Sequence, residues 1–216
     1  VASDTSTLPA LRRLLRERFP LAARGSDTAF ATGIPALDEQ AGGLPRPALT
    51  EIVCSAPSCG SQLLFGQLLE TTRGAAMRVA LVDAGDEFDP ASWPAPVLEH
   101  LVWIRAGHAA QALAAADLLV RDANLGLVAL DLRHSPLSEL RRIPSTQWYR
   151  LQRAIQSTTL AAVVLTPFPL VPSAQLRIEL ATSHPLTAQN AARPQLIMSL
   201  APEVRRQRSA AQFLAS

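Results

Sequence analysis

Short apolar runs separated by longer amphipathic stretches constrain this chain more than any other feature. They fall at residues 49–54, 78–82, 101–104, 125–130 and 160–165, each short and mostly uncharged. A strand covered on both faces needs apolar side chains pointing both ways, so these runs predict a mainly parallel sheet between helical layers. Helical spacing predicts helices at 61–73, 109–121 and 146–157, while the prolines of 90–96 break regular structure. The fold class is therefore α/β. Residues 175–182 and 194–200 read as late strands suited to an antiparallel edge, and 203–214 as a terminal helix carrying Arg205, Arg206 and Arg208. Ahead of the core, Leu8, Leu11, Leu14, Leu15 and Phe19 recur at helical spacing, with Arg12, Arg13 and Arg16 on the other side and Pro20 as a stop. The chain thus divides into a helical arm and linker (1–27), a core (28–202) and an arginine-bearing tail (203–216), without an internal repeat.

With 216 residues and 48% hydrophobic composition, the chain can bury a substantial core, which excludes collagen-like, disordered and disulfide-stapled classes. Its 20 basic against 18 acidic residues leave a net charge of +2, too little to coat nucleic acid by bulk charge. Every basic residue is arginine. Chemistry that requires an ammonium group, from Schiff bases to the phosphate-loop lysine, is closed to a chain without lysine. The two cysteines, Cys54 and Cys59, lack zinc-site spacing and read as buried cytoplasmic thiols rather than metal ligands. No apolar run reaches membrane-span length and the first residues lack a signal pattern, so a soluble cytoplasmic protein without membrane contact is expected.

Residues 49–64 have the order strand, small-residue loop, helix that builds a phosphate-binding loop. Such a loop needs glycines so that backbone N–H groups converge on the anion, a lysine for the β- and γ-phosphates, and Ser or Thr for magnesium. Only the second glycine is present, as Gly60. Ser55 stands at the first glycine, Ser61 at the lysine and Gln62 at the magnesium ligand. A helix N-terminus still attracts anions weakly, by about 0.3–1 kcal/mol per favourable charge, far short of what triphosphate hydrolysis demands. The loop therefore reads as a structural turn, with no cofactor.

The acidic cluster Asp83, Asp86, Glu87 and Asp89 reads as a turn with Pro90 opening a short helix, in preference to a metal site. Asp131, at the end of an apolar strand, suits either a residual Walker B contact to magnesium through water or a cap of the next turn. His100, His108, His134 and His184 share no motif, and a hydrolase triad of Ser61, Asp131 and His134 has nothing to fix its geometry. No catalytic residue is assigned. Trp93, Trp103 and Trp148 suit core or interface anchoring better than base stacking. Arg141, Arg142, Arg205, Arg206 and Arg208 suit protein contacts, with DNA contact weak or indirect.

Residues 31–38 (Ala-Thr-Gly-Ile-Pro-Ala-Leu-Asp), followed by Gly42-Gly43-Leu44-Pro45-Arg46 and Leu49-Thr50-Glu51-Ile52, resemble the opening of the RecA core. More specifically they resemble the ImuA family of bacterial mutagenic translesion operons. Residues 80–90, Asp117-Leu118-Leu119, 126–133 and Trp148-Tyr149-Arg150-Leu151 continue the likeness in order, over roughly residues 31–170. The resemblance implies a RecA-like core stripped of its chemistry. Gly85 stands where RecA proteins carry a catalytic glutamate, and Thr166-Pro167 replaces an Asn-Gln sensor of the γ-phosphate. What it implies is a non-catalytic accessory protein in the SOS response to DNA damage, linking an ImuB-type polymerase homologue and RecA to an error-prone replicative-type polymerase. Leu11, Leu14 and Leu15 of the arm and Arg205, Arg206 and Arg208 of the tail are the expected partner-binding residues, with the arm also able to serve a homo-oligomer. The alternatives are a SulA-like inhibitor of cell division that binds FtsZ, and a working RecA-like ATPase.

Overall fold

A computed structural model describes residues 29–208. A small antiparallel pair, β1 (Ala29–Phe30) and β2 (Leu44–Pro45), brackets helix α1 (Pro35–Ala41). The Asp38 carboxylate accepts hydrogen bonds from the Thr32 N–H (2.8 Å), the Thr32 hydroxyl (2.7 Å) and the Gly33 N–H (2.9 Å), folding the Thr-Gly segment onto α1. Gly43 is held at φ 97°, and a Cβ there would lie 2.4 Å from the Phe30 carbonyl oxygen. The motif that carried the family resemblance thus has a local structural role.

The main chain path runs β3 (Ala48–Cys54), α2 (Ser61–Gly74), β4 (Arg78–Asp83), a 3-10 turn (Pro90–Ser92), α3 (Ala95–Leu98), β5 (Leu101–Arg105), α4 (Ala109–Leu119) and β6 (Leu125–Asp131). It continues through α5 (Leu137–Leu140), α6 (Ser145–Gln156), β7 (Ala161–Thr166), β8 (Leu176–Leu180), a 3-10 turn (Leu186–Asn190), α7 (Arg193–Met198) and β9 (Glu203–Gln207). The strands form one seven-stranded sheet in the order β5-β4-β6-β7-β3-β8-β9, parallel except for β9. An α/β fold with a mostly parallel sheet flanked by helices is what the apolar runs predict.

Both faces of the sheet are covered. Ile52, Leu127 and Val163 point to one layer, where they meet Leu64, Leu68 and Leu69 of α2. Leu49, Val128 and Ala162 point to the other, against α4 and α6 with Trp148 at 1% exposure. Alternation within an apolar strand makes both layers possible, and full burial of such a side chain stabilises by about 1.5–3 kcal/mol.

The end of the chain departs from expectation. Residues 175–182 do contain a strand, but β8 runs parallel to β3. Residues 194–200 are mostly helical: Pro194 sits in the first turn of α7, where its missing N–H is harmless, and Ile197 and Leu200 pack on the α2 layer. Within the expected terminal helix, residues 203–207 are strand β9, antiparallel to β8. Exposed Glu203, Arg205 and Gln207 alternate there with half-buried Val204 and Arg206, a period of two that a helix cannot satisfy. The expected arm helix and residues 209–214 lie outside the described residues. No helix among the described residues is long and apolar enough to cross a membrane.

Candidate functional site

Parallel pairing brings the carboxyl ends of four strands to one level. Val53 pairs with Thr166, Leu165 with Asp131, and Asp131 with Asp83. Loops leaving that edge of an open α/β sheet are where such folds place ligands. The loop after β3 returns into α2 through left-handed Ser58 (φ 50°) and Gly60 (φ 83°), and α2 then buries Leu64, Phe65, Leu68 and Leu69.

At the phosphate-loop position the centre is filled by the chain itself. Arg133 lies two residues past Asp131, so both side chains leave the end of β6 on one side. Its guanidinium clamps the Asp131 carboxylate, with Nε 2.9 Å from Oδ1 and Nη2 2.5 Å from Oδ2, and its Nη1 donates to the Ser61 hydroxyl. Each side chain of the ion pair is 10% exposed. Burial works against the Arg133 charge, but the hydrogen bonds and attraction of Asp131 outweigh it and raise its pKa. Asp131 also accepts from the Arg133 N–H at 3.1 Å, the arrangement of a cap on the following turn. Ser61 and Asp131 are joined only through Arg133, and His134 is exposed, so the imagined hydrolase triad does not form.

The loop is also stitched down from outside. Ser55 Oγ donates to Glu179 at 2.9 Å, Ser183 Oγ to the Pro57 carbonyl at 2.7 Å, and the His184 N–H to the Ser58 carbonyl at 3.0 Å. Above Gly60 the space is taken: a Cβ there would lie 2.3 Å from Leu200 Cδ2 and 3.0 Å from His184 Nε2. What remains open is a cleft of about 370 Å³ lined by Gln62, Ser61, Arg133 and His184. Arg205 Nε holds the other Glu179 oxygen at 2.6 Å, joining a residue from the expected tail surface to the loop through one carboxylate. Arg205 and Ser55 together hold Glu179 ionised below the usual carboxylate range.

Arg206 is turned inward, and its Nη2 donates to the carbonyls of Val171, Pro172 and Ala174. It fastens the turn before β8, which corrects its assignment to a partner-facing helix. Arg208 donates its N–H to the Gln175 carbonyl at 2.8 Å. Leu11, Leu14 and Leu15 lie outside the described residues.

The acidic cluster is a turn. Asp83, 1% exposed, accepts from the Gly85 N–H at 3.1 Å and the Phe88 N–H at 2.9 Å. Asp89 caps the 3-10 turn opened by Pro90, accepting from Ala91 N at 2.9 Å and Ser92 Oγ at 2.6 Å. Among the described residues no group of three or more His, Cys, Asp or Glu is placed to hold a metal ion. At the end of β7 the Thr166 hydroxyl donates to Glu51 at 3.2 Å. Glu51, fully buried, also accepts from the Val171 N–H at 2.9 Å and from Arg177 Nε at 2.5 Å.

Sequence reasoning passed over Arg133, Glu51 and Glu179, the residues that organise this edge. The available signals were a carboxylate and a cation two positions apart at a strand end, and a lone acid inside an apolar run. Compared with models of known families and with curated proteins, the chain matches none.

Proposed function

We propose that this chain is a non-catalytic accessory protein with a RecA-like core, of ImuA type, acting in damage-induced error-prone translesion synthesis. In this reading it links an ImuB-type polymerase homologue and RecA to the error-prone replicative-type polymerase. The observation that carries the proposal is the Arg133 clamp: the cation at the phosphate loop is spent on Asp131 and Ser61. A nucleotide site needs an uncompensated cation for phosphate and an open acid for magnesium, and the clamp neutralises both with each other. His184 and Leu200 pack closely over Gly60 and narrow the approach to the loop, which supports the same reading.

With chemistry closed, function passes to surfaces. Leu118 and Tyr149 are 73% and 47% exposed on α4 and α6, and Arg150 reaches across to Asp117 at 3.5 Å, making one mixed patch suited to protein contact. Arg205 keeps a half-exposed side chain on the outer strand. Co-expression of the full chain with the polymerase homologue and RecA tests the proposal. Stoichiometric copurification with the polymerase homologue is expected; recovery of FtsZ in its place would overturn the assignment in favour of the cell-division inhibitor.

A further inference from the structure

On the layer opposite α2, small side chains leave a groove open. Helix α4 leads into β6 and α6 into the neighbouring parallel strand β7, so the two helices lie side by side and start at the same edge of the sheet. Ala109 and Ala110 at the start of α4 carry too little side chain to span the gap, and a cavity of about 400 Å³ remains there. Leu113, Ile143 and Pro144 give it an apolar floor, with Arg142 and Gln147 at its rim. Further along both helices, Arg150 reaches Asp117 at 3.5 Å and bridges the groove.

The charges around it are unbalanced. Its acids are already engaged: Glu139 accepts from the Ala109 N–H at 3.1 Å, and Asp117 is shared by Arg121 and Arg150. Arg141 and Arg142 are exposed, and among the described residues neither guanidinium has an ionic or hydrogen-bonded partner. Helix α6 starts after Pro144 without a side-chain cap, so its first N–H groups add to the positive potential of the same rim.

We propose that this groove is a peptide-docking site whose occupant is an acidic segment of a partner protein carrying one or two apolar side chains. The apolar side chain seats on Leu113 and Ile143, and the carboxylates beside it meet Arg141 and Arg142, whose planar forks take a carboxylate bidentately. The chain's own arm is the wrong occupant: residues 8–19 carry Arg12, Arg13, Arg16 and Arg18 against Glu17 alone, the same sign as the rim. A nucleic-acid backbone would meet the arginines but leave the apolar floor uncovered. An apolar anchor with adjoining acids is the combination that matches both.

The test uses the full chain and fluorescein-labelled synthetic peptides followed by anisotropy. One peptide has glutamates flanking a Leu-Leu pair; a second has Ser-Ser at its centre, and a third has glutamine in place of glutamate. The Leu-Leu glutamate peptide is expected to bind saturably and about tenfold more tightly than the other two, with affinity falling as salt rises. Arg141→Glu/Arg142→Glu is expected to weaken it about tenfold by charge, and Ala110→Trp about tenfold by filling the groove. These positions are exposed, and circular dichroism is expected to match the wild type. Arg73→Glu, an exposed change on α2, is expected to leave binding unaltered. Equal binding of the Ser-Ser peptide, indifference to either groove variant, displacement by single-stranded oligothymidine, or absence of binding would overturn the proposal. The probes are synthetic, so the result is separate from copurification with the polymerase homologue.

Discussion

Arg133 supplies by guanidinium what a chain without lysine cannot supply by ammonium, and its planar fork changes the outcome. A fork takes a carboxylate bidentately, so the cation is captured by Asp131 from its own strand end before any phosphate can claim it. Removing one partner of so enclosed a pair strands the other. Arg133→Met is expected to lower unfolding stability by about 3–5 kcal/mol in urea titration, and Asp131→Leu/Arg133→Met to recover much of that loss, because an apolar pair of similar volume leaves no buried charge. Losses that simply add would contradict the clamp. His100 gives a pH signature of its own. Its Nε2 lies 3.0 Å from the Thr72 hydroxyl, and burial lowers its pKa below the ordinary 6.5. The unfolded chain takes up a proton at the ordinary value while the folded chain does not, so stability is retained above about 6.5 and falls as pH drops toward the lowered folded value. Chemical denaturation at stepped pH is expected to show that fall in the wild type and to show it flattened in His100→Gln.

Elements differ in how plainly they can be read. The runs at 78–82 and 160–165 match β4 and β7 within a residue or so, because a doubly covered strand leaves an unbroken apolar record. Residues 194–200 carry a similar record across α7 and the residues just after it, and there Pro194 and the spacing of Ile197 and Leu200 decide for helix only once α2 is known to lie beneath. Strand β9 is obscured for a different reason: its Arg205 and Arg206 resemble a solvated helix face, yet one grips Glu179 and the other three carbonyls. At the site, the absence of lysine and the presence of Gly60 were legible, whereas the clamp required knowing that β6 ends level with the loop. Gly66, inside α2, was equally silent, and its packing is severe. A Cβ there would lie 1.5 Å from Trp93 Cη2, and Arg193 stacks on the same indole 3.8 Å from its centroid. Gly66→Ala is expected to displace that indole, lowering stability by about 1–3 kcal/mol and shifting tryptophan emission to the red. An unshifted spectrum with wild-type stability would place Trp93 elsewhere.

At the scale of the molecule, the polar side chains at the carboxyl edge of the parallel sheet are turned toward one another. Asp131 holds Arg133, Arg133 holds Ser61, Ser55 holds Glu179, and the segment from Ser183 to Leu200 closes over Gly60. With Arg205 on the other Glu179 oxygen, these contacts link β3, β6, β8 and β9 into one connected edge, which is the structural basis of the proposed non-catalytic role. The direct measurement is equilibrium binding of ATP to the full chain with and without magnesium, followed by phosphate release. The account predicts no magnesium-dependent binding and no release above the background of buffer. Saturable magnesium-dependent binding with turnover, abolished by Asp131→Ala, would contradict it.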